Sequence, residues 1–246
     1  MELNKTGKYD FVAEPFHVDF TGRLNMSVLG NHMLNCAGFH AADRGFGIAS
    51  LNEHHYTWVL SRLAIELWDM PRQYEPFSIT TWVENVYRLF TDRNFELTDK
   101  DGKTIGYARS IWAMIDMKTR KPADLLGLHG GSIIDYICDK ECPIEKPGRI
   151  KVGENAQVYE YRAKYSDIDI NGHVNSIKYI EHILDLFPIG MFSEKQIRRF
   201  EMAYVAESYY GDVLSICRES VGENEFNIEI KKNGKEEVCR SRVLFV

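Results

Sequence analysis

The sequence predicts an α+β protein built from two similar halves, each a long helix packed on an antiparallel sheet. Three observations lead there. Runs with two-residue alternation occur in both halves, one amphipathic helical pattern occurs in each, and the two helical regions match when slid by 150 residues.

In the first half, Phe77, Ile79, Thr81 and Val83 alternate, as do Ile105, Tyr107, Arg109, Ile111, Ala113 and Ile115, the pattern of strands with one buried face. In the second half, Val213, Ser215 and Cys217 alternate, then Phe226, Ile228 and Ile230, then Cys239, Ser241, Val243 and Phe245. Lys100-Asp101-Gly102-Lys103 and Lys232-Asn233-Gly234-Lys235 each supply the residues that a tight hairpin turn needs. The clearer helix runs from Val174 to Phe187, with Ile177, Ile180, Leu184 and Phe187 on one face. The other runs from Leu24 to Ala37. At the 150-residue offset, Asp19, Gly22, Asn25, His32 and Leu34 coincide with Asp169, Gly172, Asn175, His182 and Leu184.

Between the halves, Pro122, Pro143, Pro147 and the Gly130-Gly131 pair suit a connector better than a sheet. The expected organisation is a first half at residues 1-125, a linker at 126-150 and a second half at 151-246. One helix wrapped by an antiparallel sheet, then repeated, is a tandem (double) hotdog arrangement, although the pattern leaves other α+β folds open.

Composition narrows the function. Apolar residues at 44% and charged residues at 27% describe an ordinary globular chain, which sets aside disordered, collagen-like and coiled-coil readings. A formal net charge of -6 provides no global positive field for nucleic acid or an anionic membrane. No stretch approaches the ~18 unbroken apolar residues of a membrane span, and the N-terminus lacks the apolar run of a secretory signal. The five cysteines are odd in number and scattered, and Cys138 and Cys142 have no second pair to complete a zinc site. They read as reduced thiols, and the expected location is the cytoplasm.

The densest polar cluster is Tyr165-Ser166-Asp167-Ile168-Asp169-Ile170-Asn171-Gly172-His173-Val174-Asn175, just ahead of the clearer helix. It sets a carboxylate, an amide and an imidazole at i, i+2 and i+4 beside a helix N-terminus, where free N–H groups favour a developing negative charge such as that of a tetrahedral thioester intermediate. This is equipment for acyl transfer without a metal. The competing reading has Asp169, Asn171 or Asn175 cap the helix while Gly172 makes the turn.

The run from Ser166 to Asn175 resembles the catalytic segment of the acyl-acyl carrier protein thioesterases of plants and bacteria. Gly45-Phe46-Gly47, Thr57-Trp58-Val59-Leu60-Ser61-Arg62, Thr81-Trp82-Val83 and the stretch from Ser110 through Arg120 resemble that family's N-terminal half, in the same order. The resemblance implies a hydrolase that cleaves fatty acyl-acyl carrier protein to free fatty acid and carrier protein, without a cofactor or a metal. It places the family's aspartate, asparagine and histidine on Asp169, Asn171 and His173, and its later acidic residue on Glu207. The position after that glutamate, cysteine in many plant members, is Ser208 here, which argues against a Cys-His-Asn mechanism and for carboxylate-assisted attack by water or by the carboxylate itself. In the implied division of labour, Asp169 and Glu207 activate or replace the water, Asn171 and His173 hold the thioester and the acid-base geometry, and N–H groups at the helix start receive the oxyanion.

At the 150-residue offset, Asn171 and His173 meet Thr21 and Arg23, and only Asp19 survives. The expectation is therefore one active site, in the second half, with the first half shaping the acyl pocket. Rival activities are an acyl-CoA thioesterase, a hydroxyacyl thioester dehydratase of the same fold and a silent acyl-binding module. The expected partner is an acyl carrier protein, for which Lys195, Arg198 and Arg199 form a candidate docking cluster or a solvated face. A homodimer is compatible with the sequence, whereas nucleic acid and stable membrane insertion are not expected partners.

Overall fold

In the computed structural model, which describes residues 4–153 and 156–246, the chain divides into two compact units: Met1–Leu24 with Leu29–Lys146, and Asn25–Val28 with Pro147–Val246. The first contains β1 (Thr6–Val12), α1 (Met26–Ala42), a short α2 (Ile48–Glu53), β2 (Tyr56–Leu67), β3 (Pro76–Val86), β4 (Phe90–Thr98) and β5 (Thr104–Asp116). Its strands lie in the order β1-β3-β4-β5-β2, with antiparallel neighbours. The second contains β6 (Gln157–Arg162), α3 (Ser176–Leu184), a short α4 (Ile189–Glu194), β7 (Ile197–Tyr204), β8 (Val213–Ser220), β9 (Glu225–Lys232) and β10 (Glu236–Phe245). Its order, β6-β8-β9-β10-β7, is the same arrangement repeated.

The repeat is closest where the helices begin. Residues 11–30 and 161–180 pass through identical backbone states: a strand end, a 3-10 turn at Pro15–His17 or Tyr165–Asp167, a left-handed glycine (Gly22 at φ 75°, Gly172 at φ 80°) and the long helix. Glycine is required at that point because a side chain disfavours positive φ. Both predicted hairpins form. Asp99 Oδ1 accepts the N–H groups of Asp101 and Lys103, each at 2.9 Å, and Asn233 and Gly234 adopt φ of 51° and 71°.

On α1, Leu29, Met33, Cys36 and Ala37 are buried at i, i+4, i+7 and i+8; on α3, Ile177, Ile180 and Ile183 are. Strand β3 buries Phe77, Ile79, Thr81 and Val83, and β10 buries Cys239, Ser241, Val243 and Phe245, as their alternation predicts. Two strands bury the other phase in whole or in part. In β5 Ile105 and Ile115 are buried as their alternation predicts, but between them Ala108 and Ser110 are buried in place of Tyr107, Arg109 and Ile111, and Arg109 donates from Nε to the Ile144 carbonyl at 2.8 Å. In β8 the buried residues are Leu214 and Ile216 rather than Val213, Ser215 and Cys217. The segment expected to be a connector packs on the first unit. Leu125, Leu128 and Ile133 pack with Ala41, Phe46, Leu51 and Met114, and Cys142 and Ile144 close over Trp82 with Tyr107 partly buried beside them, so residues 126–146 extend the first unit and cover the face of β3 that alternation alone assigns to solvent.

Candidate active site

The loop ahead of α3 is fixed from beneath by Asp167. Its buried carboxylate accepts the Lys164 N–H at 2.7 Å, the Tyr161 hydroxyl at 2.8 Å and His182 Nε2 at 3.0 Å, and its carbonyl accepts the Asn175 N–H at 2.8 Å. Burial raises the Asp167 carboxyl, but these donors outweigh it and hold it below the usual carboxylate range. Burial lowers the His182 ring more than Asp167 raises it, so His182 stands neutral and donates from Nε2. Tyr161 is pushed up to about 12 by burial and by the same carboxylate.

Above that anchor the loop turns tightly. Asp169 Oδ1 accepts the Asn171 N–H at 2.8 Å, the Gly172 N–H reaches the Asp169 carbonyl at 3.0 Å, and the Asp169 N–H reaches the His173 carbonyl at 2.9 Å. Asp169, Asn171 and His173 therefore share one turn, with the Asn171 side chain exposed at its tip. Asn175 caps α3 by accepting the Ile177 N–H at 3.0 Å. The cap reading thus holds for Asn175, whereas Asp169 bonds within the turn.

Glu207 arrives from the segment between β7 and β8. The Val174 N–H donates to the Ser208 carbonyl at 2.8 Å and His173 pairs with Tyr209 as an antiparallel bridge, which brings Glu207 alongside the histidine. His173 Nδ1 lies 3.3 Å from Glu207 Oε1. The Tyr209 ring meets the His173 ring edge-on at 5.1 Å, and its hydroxyl is 3.4 Å from Glu207 Oε2. Lys232 Nζ donates to the Glu207 carbonyl at 2.8 Å and lies 5.7 Å over the Tyr209 ring. Both side chains are half-buried, His173 at 24% and Glu207 at 35% exposure, so a substrate can reach them. An open cleft lined by Tyr165, Ser166, Ile168, Tyr210 and Asp169 adjoins the turn.

Sequence reading overlooked the Tyr161–Asp167–His182 anchor, Tyr209 and Lys232. Tyr209 had a readable signal, since i and i+2 share one side of an extended chain. The anchor had none, because Tyr161 and His182 lie 6 and 15 residues from Asp167, spacings that neither a strand nor a helix brings together. Ser208 is fully buried, which removes its hydroxyl from any substrate. The N–H groups of Val174, Asn175 and Ile177 are already bonded, so the start of α3 offers fewer oxyanion donors than its position suggests. Arg199 is buried and donates to Glu201 at 2.6 Å, which takes it out of the candidate docking cluster, and Lys195, half-buried, bonds Asn224. No group of His, Cys, Asp and Glu among the described residues is arranged to hold a metal ion.

The first unit carries the same turn without the same groups. Asp19 Oδ1 accepts the Thr21 N–H at 2.7 Å, the Gly22 N–H reaches the Asp19 carbonyl at 2.9 Å, and the Asp19 N–H reaches the Arg23 carbonyl at 2.8 Å. Equivalent backbone bonds settle the remaining register. Leu24 to Pro71 matches Val174 to Ser208, and Ala13 to Glu75 matches Ala163 to Asp212. Met70 therefore stands where the second unit has Glu207.

Comparisons with known proteins agree with this architecture. Residues 5–127 match the family Acyl-ACP thioesterase N-terminal domain, and residues 150–245 match Acyl-ACP thioesterase C-terminal domain. An acyl-ACP thioesterase from Bacteroides thetaiotaomicron VPI-5482 is 74% identical and superposes with a TM-score of 0.94 over 98% of each chain. A 12:0-ACP thioesterase from Umbellularia californica, 21% identical, superposes at 0.86 over 100% of this chain and 99% of that one, and shows the same tandem hotdog fold. Oleoyl-acyl carrier protein thioesterase 2 of Arabidopsis thaliana is 25% identical over 249 residues, which is 92% of this chain. The chain spans 48%, 66% and 60% of the lengths of the first three plant relatives that it matches. With both halves matched in order over most of its length, the chain belongs to the acyl-ACP thioesterase family.

Proposed function

We propose that this protein hydrolyses fatty acyl-acyl carrier protein to free fatty acid and carrier protein, using one site in the second unit. The observation that carries the reading is the 3.3 Å approach of His173 Nδ1 to Glu207 Oε1 beside the turn that holds Asp169 and Asn171. In the proposed reaction the exposed Asn171 amide holds the thioester carbonyl. The Asp169 oxygen not committed to the Asn171 N–H receives the attacking water. Glu207 orients His173 through Nδ1–H, which leaves Nε2 to take the water's proton and return it to the departing thiolate as the C–S bond breaks.

The first unit has Thr21, Arg23 and Met70 in place of Asn171, His173 and Glu207, which supports its assignment as the acyl pocket without a complete catalytic set. Its apolar cavity, described below, suits that role. All five cysteines are free thiols, in keeping with the proposed cytoplasmic location, and no helix among the described residues is long and apolar enough to cross a membrane.

The test is a panel of acyl-carrier thioesters of graded length, assayed for released fatty acid and thiol. Stoichiometric release is expected, faster than from the matching acyl-CoA. Retention of intact thioester, or loss of water from a hydroxyacyl thioester without free acid, would replace the reading with a binding module or a dehydratase.

A further inference from the structure

A cavity of about 90 Å³ lies within the first unit, enough for roughly three water-sized groups. Ala37, Ala41, Phe46, Trp58, Trp112 and Ile133 make most of its wall hydrocarbon. Arg93, on β4, completes the wall and is only 7% exposed. Among the described residues, both of its side-chain hydrogen bonds leave from Nη1, to Thr81 Oγ1 and to His40 Nδ1, each at 3.2 Å. Neither partner carries a negative charge. His40 Nε2 donates to the Lys5 carbonyl at 3.1 Å, which leaves Nδ1 as the acceptor toward Arg93. Burial, together with the charges of Arg93 and Arg44, pushes the His40 ring down to about 3, so it stays neutral.

Asp92, next to Arg93 in sequence, points to the opposite sheet face and bonds Lys146 Nζ at 2.6 Å. Burial lowers Arg93 to about 10, which keeps it charged near neutral pH. The other charged residue in the wall, Arg44, is also a cation and sits 5.5 Å over the Tyr136 ring. Among the described residues, no carboxylate pairs with Arg93. A guanidinium withdrawn from water without a counter-charge is costly, and its fork of N–H donors matches the two oxygens of a carboxylate.

We propose that this cavity binds an aliphatic carboxylate, its oxygens on Arg93 and its first methylenes against Trp58 and Trp112. The carboxylate has two sources: a free fatty acid, which is the product of the proposed reaction, or the far end of an acyl chain that is still thioester-linked. The second source rests on the thioesterase reading, whereas the first stands without it.

The experiment titrates the protein with octanoate and with octanol, read by tryptophan fluorescence, since two tryptophans line the cavity. Octanoate is expected to saturate the signal at least ~10-fold more tightly than octanol, the gain of a charge-assisted pair, and Arg93→Gln should erase the difference. Equal affinity of the wild type for both ligands, or a preference that survives in Arg93→Gln, would overturn the proposal. If Arg93→Gln fails to fold, the wild-type ratio decides alone. Rates on the octanoyl carrier thioester and on its ω-carboxy counterpart separate the sources: an Arg93-dependent preference for the ω-carboxy chain points to the thioester, and octanoate binding without that preference points to the free acid. If no thioester is hydrolysed while octanoate still binds, the thioesterase reading fails and this one stands.

Discussion

His173 Nδ1 and Glu207 Oε1 lie 3.3 Å apart, joined by the backbone bridge between His173 and Tyr209 rather than by proximity in sequence. In the proposed reaction the carboxylate fixes which ring nitrogen carries the proton, and with it which nitrogen faces the substrate. Glu207→Gln keeps the size of the side chain but removes the charge that stabilises an imidazolium. It should lower kcat by ~10²–10⁴ with KM little changed, the range for losing a positioned acid-base group. Steady-state release of fatty acid checks this. A change confined to KM would make Glu207 a binding group only.

Ser208 follows Glu207 but points into the core, fully buried. Ser208→Ala should keep kcat within a few-fold, because no substrate reaches the hydroxyl. A loss of ~10³-fold in a folded variant would restore a serine nucleophile.

The Asp167 anchor should matter for stability. Asp167→Asn removes the charge that Tyr161 and His182 face and should cost ~1–3 kcal/mol in urea unfolding, as for a buried polar group left poorly paired. Because the folded carboxyl is held below its unfolded value, its contribution is present above the unfolded value of ~3.9 and lost as pH falls through the folded one. A variant as stable as wild type at neutral pH would remove the anchor from the account.

His40 predicts a second pH dependence, in a higher window. Its folded value of about 3 lies below the ~6.5 of an unfolded histidine, so between the two the unfolded chain binds the extra proton. Stability should therefore be complete above ~6.5 and decline as pH falls toward 3, with this residue adding at most ~1.4 kcal/mol per pH unit. His40→Gln can still donate to Lys5 and accept from Arg93, and it should flatten that slope in denaturant titrations from pH 7 to pH 4. An unchanged slope would assign the loss to other groups.

Much of the fold was legible because it follows from period and turn chemistry. The two helices, the Asp101-Gly102 and Asn233-Gly234 turns and the 150-residue repeat all express local preferences. What alternation missed was the phase buried in β8 and in the middle of β5, and the covering of the second face of β3, which rests with a distant segment around Ile144 that closes over Trp82. At the candidate site, the turn from Asp169 to His173 was readable as one cluster. Glu207 entered the site only through family order, which set it beside Asp169 and not His173, and the Tyr161–Asp167–His182 anchor spans separations that carry no local signal. In the basic cluster Arg199 had a readable partner, because Glu201 lies two residues on along the same strand, on the same side.

Asp19 and Asp169 sit in matching turns, with Oδ1 accepting the N–H two residues on at 2.7 Å and 2.8 Å. Asparagine can keep that bond in both, so Asp19→Asn and Asp169→Asn make similar structural demands and differ only in the groups around them. The measurement that tests the account most directly is kcat for fatty acid release by these two variants, with far-UV circular dichroism and melting to show both folded. A single site in the second unit predicts that Asp19→Asn stays within a few-fold of wild type while Asp169→Asn loses ~10³-fold or more. Equal losses in two folded variants would contradict it, because both units would then contribute to the chemistry.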